Sequence, residues 1–320
     1  MDKRILLASP RGFCFGVGRA IEMLNSVIER ESGPVYALHE IVHNTALVNR
    51  YKALGVRFVQ ELEQVPQGGT VVFSAHGVAP SVREQAADRR LNVIDTTCPM
   101  VAKIHREAAA LKERGCSIIL IGKAGHNEVA GIAGEAPAQT QVIQSVADVD
   151  RITCVDSAHI AWLSQTTLNV DDTQRIVERL HEVFPLIQDP PQSDICYATR
   201  NRQLAVKSIA GECELFLVAG SANSSNTNRL VEAAREAGAA AALRIDTPEE
   251  LAGVDFSRVF TVGLSAGVSV EERQLKGVVA YLNQIGYHRA EERIAVVEAL
   301  PPAAADECSC RPAAPEKRQP

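Results

Sequence analysis

Thr97-Cys98-Pro99-Met100-Val101, continuing as a helical stretch to Lys112 and then as Ile118-Ile119-Leu120-Ile121, decides how this chain is read. A cysteine stands at the mouth of a helix, and the proline after it suits the first helical turn, where a missing N–H costs nothing. The β-branched run reads as a strand that ends in a polar loop at His126. The same phrase occurs twice more. Gly12-Phe13-Cys14 precedes a helical stretch ending near Arg30 and the strand-like Val35-Tyr36-Ala37-Leu38, which leads to His43. Asp194-Ile195-Cys196 precedes a helix over Asn201 to Gly211 and Leu215-Phe216-Leu217-Val218, which leads to Ser224. His43 lies 29 residues after Cys14, His126 lies 28 after Cys98, and Ser224 lies 28 after Cys196. Unrelated segments rarely keep such register.

Each phrase continues into a second strand and a second polar loop. Val71-Val72-Phe73-Ser74 runs to His76, Ile160-Ala161-Trp162-Leu163 to Thr166, and Val259-Phe260-Thr261-Val262 to Ser269. The repeated unit is cysteine, helix, strand, polar loop, helix, strand, polar loop. This predicts an α/β fold of three similar small units with parallel sheets: 1–97, 98–193 and 194–285, then a C-terminal segment over 286–320. Ligands in open α/β sheets bind beyond the carboxyl ends of strands, and these ends carry His, Ser, Thr and Asn. Three units around an axis would bring loops and cysteines to one centre. From Pro301 onward the chain is rich in Ala, Pro and charge, and is expected to be a disordered tail in which Cys308 and Cys310 are exposed thiols.

Composition agrees with a globular α/β protein. Of 320 residues, 46% are hydrophobic but only 4% aromatic, so the cores must be built from Val, Ile, Leu and Ala. The net charge of −6 has no basic stripe behind it, which argues against nucleic acid as a partner. The apolar stretch before Arg11 is too short for a signal-peptide core, and no apolar run reaches the length of a membrane span; a cytoplasmic location is expected. Eight cysteines without the dense spacing of a small secreted scaffold read as free thiols or metal ligands.

Three thiolates at helix starts would gain from the helix dipole, which lowers a cysteine's pKa and favours a metal ligand. On a cubane [4Fe–4S] cluster, Cys14, Cys98 and Cys196 would leave one iron without a protein ligand, able to act as a Lewis acid and an electron donor. The competing reading is that they are buried core thiols, the one preferred for Cys116, Cys154 and Cys213 beside strand-like runs. Zinc is less well supported, because the close ligand pairs of zinc sites are missing.

The loops add other chemistry. Gly220-Ser221-Ala222-Asn223-Ser224-Ser225-Asn226-Thr227-Asn228 follows a strand and opens a helix, which makes an anion site of hydroxyls, amides and free N–H groups; the alternative is a polar turn with N-caps. It lacks both the P-loop ending and the G-x-G-x-x-G spacing. His43, His76 and His126 lie at matching strand ends, where a phosphate could hold them protonated. His39, His105, His159, His181 and His288 have no such placement and read as structural or surface residues. Glu128 is the natural proton donor, its pKa raised beside an anionic cluster and a phosphate, and Thr166 could orient that proton or a substrate hydroxyl. A non-redox hydro-lyase would use the same open iron as a Lewis acid, whereas a protein whose cluster only senses oxygen or iron would lack the convergent anion site.

Taken together, Pro10-Arg11-Gly12-Phe13-Cys14, His39-Glu40-Ile41-Val42-His43-Asn44, Phe73-Ser74-Ala75-His76-Gly77, Asp95-Thr96-Thr97-Cys98-Pro99, Gly125-His126-Asn127-Glu128, Gln165-Thr166-Thr167-Leu168, Ile195-Cys196-Tyr197-Ala198-Thr199 and Ser224-Ser225-Asn226 resemble the motifs of the IspH/LytB family, over roughly residues 3 to 285. The resemblance implies a trefoil of three α/β domains around a central [4Fe–4S] cluster. It implies two-electron reductive dehydration of 4-hydroxy-3-methylbut-2-enyl diphosphate to isopentenyl and dimethylallyl diphosphates, the last step of the non-mevalonate route. By the same resemblance Cys14, Cys98 and Cys196 ligate the cluster, Glu128 with Thr166 handles the proton, and His43, His76, His126, Ser224, Ser225, Asn226 and Ser269 hold the diphosphate. A ferredoxin or flavodoxin would donate the electrons. Phe15 and Val270-Glu271 depart from the family's pattern, beside the first cysteine and after Ser269.

Overall fold

The computed structural model describes residues 2–153 and 159–298. Cys154, Cys308, Cys310 and the tail from Pro301 lie outside the described residues. The chain begins with β1 (Arg4–Ser9), after which three runs of similar order follow. The first comprises α1 (Phe15–Arg30), β2 (Val35–Leu38), α2 (Thr45–Ala53), β3 (Arg57–Val59), β4 (Thr70–Phe73), α3 (Pro80–Asp88) and β5 (Asn92–Asp95). The second comprises α4 (Pro99–Glu113), β6 (Ser117–Ile121), α5 (Asn127–Ala133), β7 (Thr140–Ile143), α6 (Val146–Val149), β8 (Ile160–Ser164) and α7 (Val170–Val183). The third comprises α8 (Tyr197–Ala210), β9 (Leu215–Ala219), α9 (Ser225–Glu236), β10 (Ala241–Ile245), β11 (Thr261–Ala266), α10 (Glu272–Gln284) and β12 (Arg289–Ile294).

Each run builds one sheet: β3-β2-β4-β5, β7-β6-β8 and β10-β9-β11-β1-β12. Every pairing between these strands is parallel. The same order recurs in all three, with a short edge strand, then the first strand, then the second. The edge strands β3, β7 and β10 escape the sequence reading because their signal is weak: β3 has three residues, and β10 opens in a run of alanines. Strand β11 of the third unit also lies later than expected, at Thr261–Ala266, since the buried run continues through Ala266.

Two boundaries expected from the sequence are corrected. The N-terminal strand leaves the first unit and pairs Arg4–Leu7 with Thr261–Leu264 of β11, while β12 pairs along its other edge and so joins 289–294 to the third sheet. A parallel sheet needs both faces covered and gains from each added ladder, and β12, charged and half exposed, closes the edge.

The helices follow from their apolar spacing. In α1, Val17, Ala20, Ile21, Leu24 and Val27 form one buried stripe against Val35, Ala37 and Val72 of the first sheet, and Pro34 blocks continuation beyond the helix end. Helix α4 presents Ile104, Ala108 and Leu111 to Ile118, Leu120, Ala161 and Leu163, and α8 packs Ala205, Val206 and Ile209 against Leu6, Phe216 and Val218. Separate clusters cover the opposite faces. Each fully buried aliphatic side chain contributes about 1.5–3 kcal/mol, so these stripes fix every cysteine-headed helix to its own sheet.

Candidate active site

The segment paired with the outer side of β4, β11 or β8 delivers the chain to the next cysteine. Strand β5 leads to Cys98, β1 to Cys14, and Gln188, bridged to Ala161 of β8, leads to Cys196. All three cysteines are the N-cap residues of their helices, α1, α4 and α8. Their amides are held alike: Cys14 N–H donates to Val268 O (3.3 Å), Cys98 to Ala75 O (3.0 Å) and Cys196 to Thr166 O (3.1 Å). Each acceptor belongs to the second polar loop of the preceding unit, so every sulfur is tied to a loop that also presents Ser269, His76 or Thr166.

These residues line one cavity of about 90 Å³. Cys14, Cys98 and Cys196 meet there with His43, His76, His126, Glu128, Thr166, Ser224, Ser225, Asn226 and Ser269. Every site residue expected from the sequence is thus brought together. Thr167, Thr199, Met100 and Gly16 join them, although the sequence reading assigned them no role. Gly16 has a geometric reason, since a Cβ there would lie 2.5 Å from Cys98 Sγ. Phe15, by contrast, is 42% exposed and outside the cavity lining. Cys116 and Cys213 are buried in aliphatic clusters, in keeping with the core reading.

The thiols correct one expectation. Backbone N–H groups of Met100, Val101, Ala198 and Thr199 do favour thiolates at Cys98 and Cys196, as helix starts should. Burial outweighs them, with the neighbouring Cys14 adding to the rise, and pushes Cys98 up to about 12 and Cys196 to about 11. Such thiols give up their protons to a bound cation rather than to water. Among the described residues, the one trio of His, Cys, Asp or Glu donor atoms lying wholly within 4.8 Å is His43, His76 and His126. Among the described residues, Cys14, Cys98 and Cys196 form no such close trio.

The histidines touch one another. His43 stacks on His76 with centroids 4.4 Å apart, and His126 meets both edge-on at 5.2 and 5.4 Å. Burial first, then the neighbouring rings, lowers His76 well below the usual imidazole range and His126 to about 4. They are therefore neutral at pH 7, and only an anion would hold them protonated. His126 caps α5, its Nδ1 accepting the Glu128 N–H at 3.2 Å, which leaves the other nitrogen as a donor. His43 Nε2 and Asn226 Nδ2 are buried without a hydrogen-bond partner. Such atoms are costly unless a ligand meets them. The Asn226 carbonyl oxygen is engaged by Val268 N–H at 3.0 Å, so its amide group is fixed in orientation. Ser224 caps α9, and the Ser269 hydroxyl donates to His43 O at 2.8 Å, coupling two of the loops.

Glu128 is 1% exposed, and its Oε1 accepts the Thr166 N–H at 2.7 Å. Burial raises its pKa to about 7 against the opposing Thr166 hydrogen bonds. The rise expected from nearby negative charge therefore comes mainly from desolvation. A carboxyl poised near neutrality, in a cavity with clustered thiols and an anion site, is suited to donating a proton.

Known proteins place this arrangement. Residues 5–283 match the family described as LytB protein. The 4-hydroxy-3-methylbut-2-enyl diphosphate reductase of Mycolicibacterium vanbaalenii is 50% identical over 285 residues, covering 89% of this chain and 85% of that one. A 4-hydroxy-3-methylbut-2-enyl diphosphate reductase 2 of Mycobacterium tuberculosis is 51% identical over the same shares. The structure of the E-1-hydroxy-2-methyl-but-2-enyl-4-diphosphate reductase from Plasmodium falciparum superposes with a TM-score of 0.90 at 34% identity, covering 94% of this chain and 95% of that one. With three cysteine-headed α/β units meeting at one cavity and a family match spanning nearly all described residues, this chain belongs to the LytB family.

Proposed function

We propose that this chain reduces 4-hydroxy-3-methylbut-2-enyl diphosphate to isopentenyl and dimethylallyl diphosphates, with Cys14, Cys98 and Cys196 holding one [4Fe–4S] cluster at the centre of a trefoil of three α/β units. The observation that carries this reading is the meeting of three N-cap cysteines, a buried carboxyl and an anion-accepting histidine trio in one cavity. Overall, two electrons and two protons replace the allylic hydroxyl by hydrogen and release water. When bound, the cluster supplies the electrons and, at the iron without a cysteine, Lewis acidity toward the substrate oxygen.

The remaining steps fall to side chains. His43, His76, His126, Ser224, Ser225 and Asn226 bind the diphosphate, with Ser269 bracing the His43 loop. Anion binding draws protons onto His76 and His126, whose burial makes those charges unfavourable otherwise. Glu128, held by Thr166, delivers a proton to the leaving hydroxyl oxygen. The fixed diphosphate orients the allyl group and helps to exclude water. A ferredoxin or flavodoxin supplies the electrons, as the family resemblance implies.

The test is a cysteine series. Cys14→Ser, Cys98→Ser and Cys196→Ser should each lower bound iron and abolish reduction of the allylic diphosphate, whereas Cys116→Ser and Cys213→Ser should retain both. Full iron content in any of the first three would remove that cysteine from the ligand set. Anaerobic turnover without a reductant would replace the reductase reading by a hydro-lyase.

A further inference from the structure

Each cysteine-headed helix carries a cation, five or six residues after its cysteine, that reaches another unit: Arg19, five residues after Cys14; Lys103, five after Cys98; and Arg202, six after Cys196. None reaches back to its own cysteine loop. Arg19 Nη1 donates to Thr97 O at 3.2 Å, the carbonyl just before Cys98. Lys103 Nζ donates to Gln192 O and to Asp194 Oδ1, both at 2.9 Å, in the segment just before Cys196. Arg202 donates from Nε to Gly12 O at 3.0 Å and from Nη2 to Phe13 O at 3.2 Å, the two carbonyls just before Cys14. The contacts therefore run from α1 to the Cys98 loop, from α4 to the Cys196 loop and from α8 to the Cys14 loop, closing a ring.

We infer that Arg19, Lys103 and Arg202 form a cyclic clasp, each acting as a positioning residue for the cysteine of the next unit. The inference rests on the reading that these three cysteines share one cluster. The physical need is plain: the loop before a helix has no ladder partners, and a carbonyl that leaves solvent there, as at Gly12, requires a donor. A charged donor makes a stronger hydrogen bond than a neutral one, and it comes here from a helix already fixed to another sheet. Arg202 is 1% exposed, a placement tolerated only because Gly12 O, Phe13 O, Ala198 O and Glu298 Oε1 surround the guanidinium. Asp194 passes the Lys103 contact on, since its second oxygen accepts the Ser164 N–H at 2.8 Å and so also holds the strand end leading to Thr166. Helix α1 seats Cys98 twice, by Arg19 at the preceding carbonyl and by the bare Cα of Gly16 at the sulfur.

The clasp makes a crossed prediction that an ordinary structural role does not. The full chain, freed of iron by a chelator under anaerobic conditions, is pulsed with N-ethylmaleimide and each cysteine is followed by peptide mass mapping. Arg19→Met should speed labelling of Cys98 by up to about tenfold, the equivalent of one lost charge-assisted hydrogen bond, and leave Cys14 unchanged. Lys103→Met should act on Cys196 and not on Cys98. Arg202→Lys, which replaces the separate nitrogens that meet Gly12 O and Phe13 O by a single ammonium without the planar fork, should act on Cys14 and not on Cys196, and Arg19→Lys should restore the parent rate at Cys98. The buried Cys116 and Cys213 report global unfolding; if Arg202→Lys exposes them, the Arg19 and Lys103 variants decide. Faster labelling of the cysteine on the substituted helix itself, equal acceleration of all three, or no change overturns the clasp. Iron content of the Cys14→Ser, Cys98→Ser and Cys196→Ser proteins separates the two readings: full iron there with the crossed labelling pattern intact keeps the clasp and refutes the cluster-ligand assignment.

Discussion

Replacing Glu128 by glutamine tests the central carboxyl in both stability and catalysis. With a folded-state pKa of about 7 against an ordinary 4.5, Glu128 holds its proton more tightly folded than unfolded. Its contribution to stability is fully present below about pH 4.5 and is lost as the pH rises through about 7. At 1.36 kcal/mol per pKa unit, the loss is on the order of 3 kcal/mol for this fully buried group. Glutamine keeps the shape, still accepts the Thr166 N–H and does not titrate. In denaturant unfolding of the iron-free chain, the stability of Glu128→Gln relative to the parent should therefore rise steadily from pH 5 to 7 and then level off. The other buried titrating groups are present in both proteins and largely cancel in the difference. In the loaded enzyme the same substitution should leave iron and diphosphate binding intact while lowering turnover by roughly 10²–10⁴-fold, and the parent's kcat should decline above about pH 7. A flat stability difference between pH 5 and 8 would refute the buried, protonated carboxyl, and near-normal turnover with full iron would refute its role as proton donor.

Gly16→Ala places a Cβ 2.5 Å from Cys98 Sγ and forces that sulfur to move, so bound iron should fall; unchanged iron content would show that the close approach is incidental. Because His76 and His126 are neutral near pH 7, binding of inorganic pyrophosphate should take up protons, seen calorimetrically as a heat that varies with the ionisation enthalpy of the buffer. A buffer-independent heat would mean that the anion is held without protonating the trio.

What the sequence determined by itself was local. The three cysteines at helix mouths, the helical stretch of α1 ending near Arg30, the proline opening α4 and the apolar runs of β2, β6 and β9 are each written within a short stretch of chain, and each formed as read. The matching offsets to His43, His126 and Ser224 also put the loop residues in register before any coordinates. Sequence could not tell that β1 pairs with β11, because that ladder joins Arg4 to Thr261 and depends on which sheet has an open edge. Nor could it give the direction of the thiol shifts: a helix start favours the thiolate locally, but burial by two other units decides the balance. The contacts among the three histidines, the seat that Gly16 leaves for Cys98 and the ring of Arg19, Lys103 and Arg202 were likewise decided by tertiary structure. Propensity and periodicity act through neighbouring residues, whereas desolvation and cross-unit hydrogen bonds depend on groups distant in sequence, 78 residues apart for Arg19 and Thr97 and 190 for Arg202 and Gly12, which only the packed fold brings together.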